Sequence, residues 1–136
     1  MNKPLHILLI NDDPDDHEIF ESVIELILPS ARCSSVLSGQ RAIEKLIDGS
    51  LRPHIIFLDL NMPLMNGKQF LLEVRNHPEI ATIPVIVLTT SSDAGNVAET
   101  KQLGAKYFIT KPDRFSQWED ALRQFFREQS FLTENR

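Results

Sequence analysis

Three nearly continuous apolar runs punctuate the chain, and each ends in a polar residue. Ile7-Leu8-Leu9-Ile10 leads into Asn11-Asp12-Asp13, Ile55-Ile56-Phe57-Leu58 into Asp59, and Val85-Ile86-Val87-Leu88 into Thr89. A shorter run, Tyr107-Phe108-Ile109, reaches Thr110 and then Lys111-Pro112. Apolar runs without alternation suit strands buried on both faces, as in a parallel sheet covered by helices. Strands are predicted over 5–10, 33–37, 54–58, 84–88 and 106–109.

Between the runs the apolar positions change to helical spacing. Residues 15–28 place Ile19, Phe20, Val23, Ile24 and Ile27 on one face, and residues 39–49 place Ala42, Ile43, Leu46 and Ile47 on a stripe that stops at Gly49. Residues 66–76 turn Phe70, Leu71 and Val74 inward, with His77-Pro78 just beyond. Residues 93–103 are mostly polar, with Val97, Ala98 and Leu103 as a thin apolar side and Gly104 as the stop. Residues 115–127 carry Phe115, Trp118, Leu122, Phe125 and Phe126 at helical spacing. Strands alternating with helices predict an α/β fold, a (βα)5 unit with a parallel sheet and right-handed crossovers.

That architecture gives the polar run ends a meaning. Open α/β sheets hold their ligands at the C-terminal ends of the strands. Asp12, Asp59, Thr89 and Lys111 therefore converge on one edge of one sheet. Two neighbouring carboxylates repel unless a cation or a shared proton offsets them. Mg²⁺ suits such a pocket, since it takes one or two carboxylates and completes its shell with waters and phosphate oxygens. Lys111 can pair with a carboxylate or a phosphoryl group, and Thr89 offers a hydroxyl to a phosphoryl oxygen. Around Asp59 as nucleophile, this set would stabilise a transferring phosphoryl group and yield an acyl phosphate. The bland reading, an Asp–Lys salt bridge with capping acids, explains any one of these residues but not all of them at strand ends.

Bulk properties narrow the classes. The 136 residues are one domain by length. A formal net charge of −5 argues against a nucleic-acid binder. The single cysteine, Cys33, excludes an internal disulfide, fits a reducing compartment and reads as a small core residue. No apolar run approaches the roughly 18 residues of a membrane span. Met1-Asn2-Lys3-Pro4 goes straight into a strand with no signal-peptide pattern, so a cytoplasmic location is expected. His6, His17, His54 and His77 are scattered without metal-ligand spacing and read as surface or satisfied histidines. Asp15, Asp16 and Glu18 read as helix-start acids.

The chain resembles the response-regulator receiver domain of two-component signalling. The resemblance rests on Ile10-Asn11-Asp12-Asp13-Pro14, Leu58-Asp59-Leu60-Asn61-Met62-Pro63 with Gly67, Leu88-Thr89-Thr90, and Phe108-Ile109-Thr110-Lys111-Pro112, in the family's order and spacing. It covers about residues 5–127, leaving 128–136 as a C-terminal tail. Residues 75–93 are most similar to single-domain regulators associated with bacterial phytochrome kinases. The resemblance implies a flavodoxin-like, doubly wound five-stranded sheet in order 2-1-3-4-5. It implies Asp59 as phosphoacceptor, Asp12 and the backbone carbonyl of Asn61 as Mg²⁺ ligands with Asp59, and Lys111 as partner of the phosphoryl group. Thr89 and Phe108 would be the switch pair, Thr89 moving to hydrogen-bond the phosphoryl group and Phe108 turning inward behind it. Asn61 and Ser91 would tune the lifetime of the acyl phosphate.

Three positions depart from that pattern. Asn11 stands where the family usually has an acid; it can hold a metal-bound water but brings no charge. Phe108 lacks the hydroxyl of the tyrosine many relatives carry, which makes inward burial cheaper. Asp113 replaces an apolar residue, and nothing in the sequence explains it. The implied partners are a sensor histidine kinase of phytochrome type and a downstream target or phosphotransfer protein, with no nucleic acid and no membrane. Output is expected through protein–protein contact or phosphorelay rather than an enzymatic activity. Phe131-Leu132 beside the last helix suggest a homodimer contact. Two rivals remain: a constitutive interaction module, motivated by Asn11, and a small-molecule enzyme on the same fold, opposed by the lack of a phosphate-cradling glycine loop after residues 5–10.

Overall fold

The computed structural model describes residues 4–60, 62, 65–89, 94–112 and 114–129, with the backbone alone at 94–96. Its elements run β1 (His6–Ile10), α1 (Pro14–Ile27), β2 (Arg32–Val36), α2 (Gly39–Asp48), β3 (Ile55–Asp59), α3 (Gly67–Arg75), α4 (Pro78–Ala81), β4 (Val85–Thr89), α5 (Ala94–Gln102), β5 (Tyr107–Thr110) and α6 (Phe115–Glu128). The five strands form one sheet in the order β2-β1-β3-β4-β5, and every pairing is parallel. This is the expected flavodoxin-like order.

The sheet separates two apolar layers. On one side Phe20, Val23 and Ile24 of α1 and Trp118, Leu122 and Phe126 of α6 pack on alternate strand residues such as Phe57. On the other, Ala42 and Leu46 of α2 and Phe70 and Val74 of α3 pack on Leu8, Ile56 and Val87. Burying both faces explains why β1, β3 and β4 are apolar without alternation. The edge strand β2 is only half-buried and accordingly more polar.

Tight caps bring the polar residues to the strand ends. Asp13 caps α1 by accepting from the Asp15 N–H, and Pro14 opens the helix, where its missing N–H costs nothing. The β1-to-α1 turn is thus only Asn11, Asp12 and Asp13. At the opposite pole α2 ends on Gly49 with φ +83, a left-handed cap that favours glycine.

Several sequence expectations need correction. β3 and β4 extend one residue further than predicted, so Asp59 and Thr89 are the last residues of their strands. Residues 78–81 form an additional single helical turn, since Pro78 can start a helix even as it prevents α3 from continuing. Ile47 and Phe115, assigned to inward stripes, are 44% and 45% exposed. Ile47 is the penultimate residue of α2 and Phe115 the first of α6, so each has helix neighbours on one side only. Among the described residues no helix is long and apolar enough to cross a membrane.

The histidines are satisfied or at the surface, as expected, with His77 part-exposed and its Nδ1 3.8 Å from Glu79 Oε1. His6 bonds Ser34, His17 bonds the Asn11 carbonyl, and His54 Nδ1 accepts from the His6 N–H. Cys33 is half-buried, and burial, with the nearby Glu21 charge adding to it, pushes its thiol up to about 12. The thiolate is the nucleophile, so Cys33 should resist alkylation at pH 8 in the folded chain and react on denaturation. Rapid native labelling by iodoacetamide would contradict this packing.

Candidate functional site

The site begins with strand register. Ile10 lies beside Leu58 in the β1–β3 ladder, so Asp12, two residues on, and Asp59, one residue on, leave adjacent strand ends. On the other flank Asp59 pairs with Leu88 and Thr89 with Thr110. The Leu60 N–H donates to the Leu88 carbonyl at 3.0 Å and the Lys111 N–H to the Thr89 carbonyl at 2.7 Å. These bonds carry the ladder past the strands and fix the backbones of the acceptor and lysine segments. Asp59 is 4% exposed, and Thr89 and Asn11 are fully buried, whereas Asp12 is exposed at the rim.

Lys111 reaches over this edge between two carboxylates. Its Nζ lies 2.7 Å from Asp16 Oδ2 and 3.4 Å from Asp59 Oδ2. Burial pulls the pKa of the ammonium down, but the Asp16 hydrogen bond and the charges of Asp59 and Asp16 outweigh it. The net direction is upward, so Lys111 is a fixed cation. Asn11 joins the same group: its Nδ2 donates to Asp16 Oδ2 at 3.1 Å and its Oδ1 accepts from the Asp13 N–H at 2.9 Å. Both ends of the amide are thus engaged by protein groups. The backbone N–H of Asn11 adds a bond to Val36 of β2 at 3.1 Å.

Asp16 is the member that sequence reasoning missed. By position it is the helix-start acid that its sequence context predicts. Its place in the first turn of α1, four residues after Asp12, is the available signal. Its partner Lys111 is 95 residues away, and no local pattern reports that contact.

Gly67 explains itself structurally. Its N–H donates to the Leu60 carbonyl at 3.0 Å. A Cβ there would lie 2.7 Å from Leu60 Cα and 3.2 Å from the Asp59 carbonyl oxygen. Gly67→Ala should therefore cost about 1–3 kcal/mol through overpacking, read as a lowered midpoint in urea unfolding. An unchanged midpoint would show that the turn after β3 can move away freely.

Phe108 shares a sheet face with Thr89, because Val87 pairs with Phe108 and Thr89 lies two residues beyond Val87. Its ring is half-buried against the layer containing Leu8 and Val87. Asn61, Ser91, Asp113 and the tail residues Phe131 and Leu132 lie outside the described residues.

The donor set fits a hard divalent cation. Asp12 and Asp59 supply only oxygens, and among the described residues no three His, Cys, Asp or Glu side chains form a closed cage. Two carboxylates with open positions suit an ion that keeps waters and takes substrate oxygens. The arrangement as a whole offers a buried carboxylate beside a fixed ammonium and a buried hydroxyl-bearing residue, at the ligand-binding edge of an α/β sheet.

Comparison with known proteins agrees with that chemistry. The response regulator receiver domain model matches residues 7–123. Response regulator Rcp1 of Synechocystis is 32% identical over 117 residues, covering 81% of this chain and 78% of Rcp1. Among solved structures, the phosphorylated cyanobacterial phytochrome response regulator RcpA superposes with a TM-score of 0.83 at 26% identity, covering 90% of this chain and 91% of that one. The Mn²⁺-bound form of Rcp1 gives a TM-score of 0.77 at 28% identity, covering 86% and 91%.

Proposed function

The chain belongs to the response regulator receiver domain family, and from that premise we propose that Asp59 accepts a phosphoryl group from a phosphohistidine of a sensor kinase. The observation that carries the reading is the placement of Lys111 Nζ 3.4 Å from the Asp59 carboxylate at the sheet's C-terminal edge. A carboxylate oxygen of Asp59 attacks phosphorus, the new O–P bond forms as the P–N bond breaks, and the imidazole of the kinase leaves. The product is an acyl phosphate.

Each local residue has a distinct part. Lys111 stabilises the charge that builds on the phosphoryl oxygens, from a backbone anchored by its N–H bond to the Thr89 carbonyl. Thr89 turns its hydroxyl to a phosphoryl oxygen, and Phe108 on the same face follows inward. That small repacking changes the surface along β4, β5 and the helices beside them. Asp12, Asp59 and the carbonyl of Asn61 would hold Mg²⁺, which when bound neutralises phosphoryl oxygens and draws donor and acceptor together. Asn61 and Ser91 govern access of the attacking water, and with it the lifetime of the acyl phosphate. The Rcp1 structure with Mn²⁺ supports a divalent ion. The phytochrome regulators among its relatives support a phytochrome-type histidine kinase as partner. The receiver then signals by protein–protein contact or by relay to another histidine, without an enzymatic output of its own.

Intact mass after incubation with acetyl phosphate tests the reading. One added phosphoryl group in Mg²⁺, lost when EDTA is present, is the expected result. Absence of both this adduct and beryllofluoride binding would overturn it in favour of a constitutive interaction module.

A further inference from the structure

Asp16 occupies a position that phosphotransfer onto Asp59 does not itself require. Its carboxylate is 19% exposed, and Oδ2 accepts from both Lys111 Nζ, at 2.7 Å, and Asn11 Nδ2, at 3.1 Å. The orientation of the Asn11 amide is forced. The Asp13 N–H can only donate, so the end facing it is Oδ1; the Asp16 carboxylate can only accept, so the other end is Nδ2. Fully buried and bonded at both ends, this amide clamps Asp16 to the end of β1.

The amide is also what lets Asp16 sit there. An acid at position 11 would set two carboxylates about as close as the present 3.1 Å contact, and like charges at that distance repel strongly. The chain therefore carries a neutral amide at 11 and its negative charge at 16. Lys111 responds to this layout. Its short bond is to Asp16, and its 3.4 Å approach to Asp59 is beyond the usual range of a charge-assisted hydrogen bond.

We propose that Asp16 is a positioning residue that holds Lys111 beside Asp59, so that a phosphoryl group on Asp59 must compete with Asp16 for the same ammonium. The inference rests on the phosphoacceptor reading above and adds a regulation of that site: the Asn11–Asp16 pair sets how firmly the phosphorylated state is held. Loading the site means transferring Lys111 from one anion to another, and the Asp16 bond opposes that transfer.

Asp16→Asn keeps the shape and an acceptor for Asn11 but removes the charge. At saturating Mg²⁺, this variant should bind beryllofluoride about tenfold more tightly by calorimetry, the equivalent of relieving one charge-assisted hydrogen bond. Its affinity for Mg²⁺ alone should not rise, a split that a merely structural role would not produce. Asp16→Glu, which retains the charge, should return the beryllofluoride affinity toward the wild-type value. Unchanged or weaker beryllofluoride binding in Asp16→Asn would overturn the proposal. A double-mutant cycle of Asp16→Asn with Lys111→Met, read on urea unfolding, tests the hold without any phosphoryl mimic. A coupling indistinguishable from zero overturns the hold. If wild-type protein neither binds beryllofluoride nor takes a phosphoryl group from acetyl phosphate, the phosphoacceptor reading fails and the competition fails with it, whereas the cycle still decides whether Asp16 fixes Lys111.

Discussion

Asp59→Asn should abolish phosphoryl labelling by acetyl phosphate while leaving the fold intact. The two side chains have the same shape, and position 59 ends a fully buried central strand, so the substitution creates no cavity. The amide is not a nucleophile toward phosphorus, and its charge is gone. Lys111 is not stranded by the change, because its shorter bond is to Asp16 at 2.7 Å. Removing one of several clustered carboxylates also relieves repulsion among them. The unfolding midpoint should thus stay near that of the wild type, while the phosphoryl adduct disappears from the intact mass. An adduct that survives in Asp59→Asn would place the acceptor elsewhere, with Asp12 at the rim the first alternative to map.

Which parts of this site could be read from the sequence follows from which forces are local. β1, β3 and β4 are legible because burial on both faces leaves them apolar throughout, and a polar residue after such a run marks a strand end. Register is harder to see. Asp59 and Thr89 are polar, yet they stay in the ladder because the Leu60 N–H still bonds across to Leu88 and the Thr89 carbonyl still accepts from the Lys111 N–H. The turn Pro78–Ala81 was hidden because proline both stops one helix and starts another. Helical spacing gives the face on which Ile47 and Phe115 lie but not how deeply the ends of their helices are covered. Asn11 could be recognised as an amide in an acidic neighbourhood. That its amide is locked between Asp13 and Asp16 depends on the path of the turn into α1, which no residue type dictates by itself. Asp16 is the clearest case, since capping chemistry accounts for an acid in a first helical turn and nothing local distinguishes one that also meets Lys111.

Phe57→Ala is the complementary prediction, a large loss of stability with the site's own chemistry untouched. Phe57 is fully buried on β3, two residues before Asp59. Its ring centroid lies 5.1 Å from Phe20 of α1, and 5.7 and 6.1 Å from Phe125 and Phe126 of α6. Truncation therefore opens a cavity where the sheet meets both helices of one layer, and a buried Phe→Ala change costs about 3–5 kcal/mol. Set against the roughly 5–15 kcal/mol that holds a domain together, this is a large share. Urea unfolding should show a midpoint well below wild type with little change in slope. Phosphoryl labelling of this variant should then follow the folded fraction: near wild type in the cold, and falling along the same curve as helical circular dichroism on warming. Labelling that fails in the cold while the chain is folded would mean that packing beneath β3 aims Asp59 directly, and would tie the aromatic layer to catalysis rather than to stability alone.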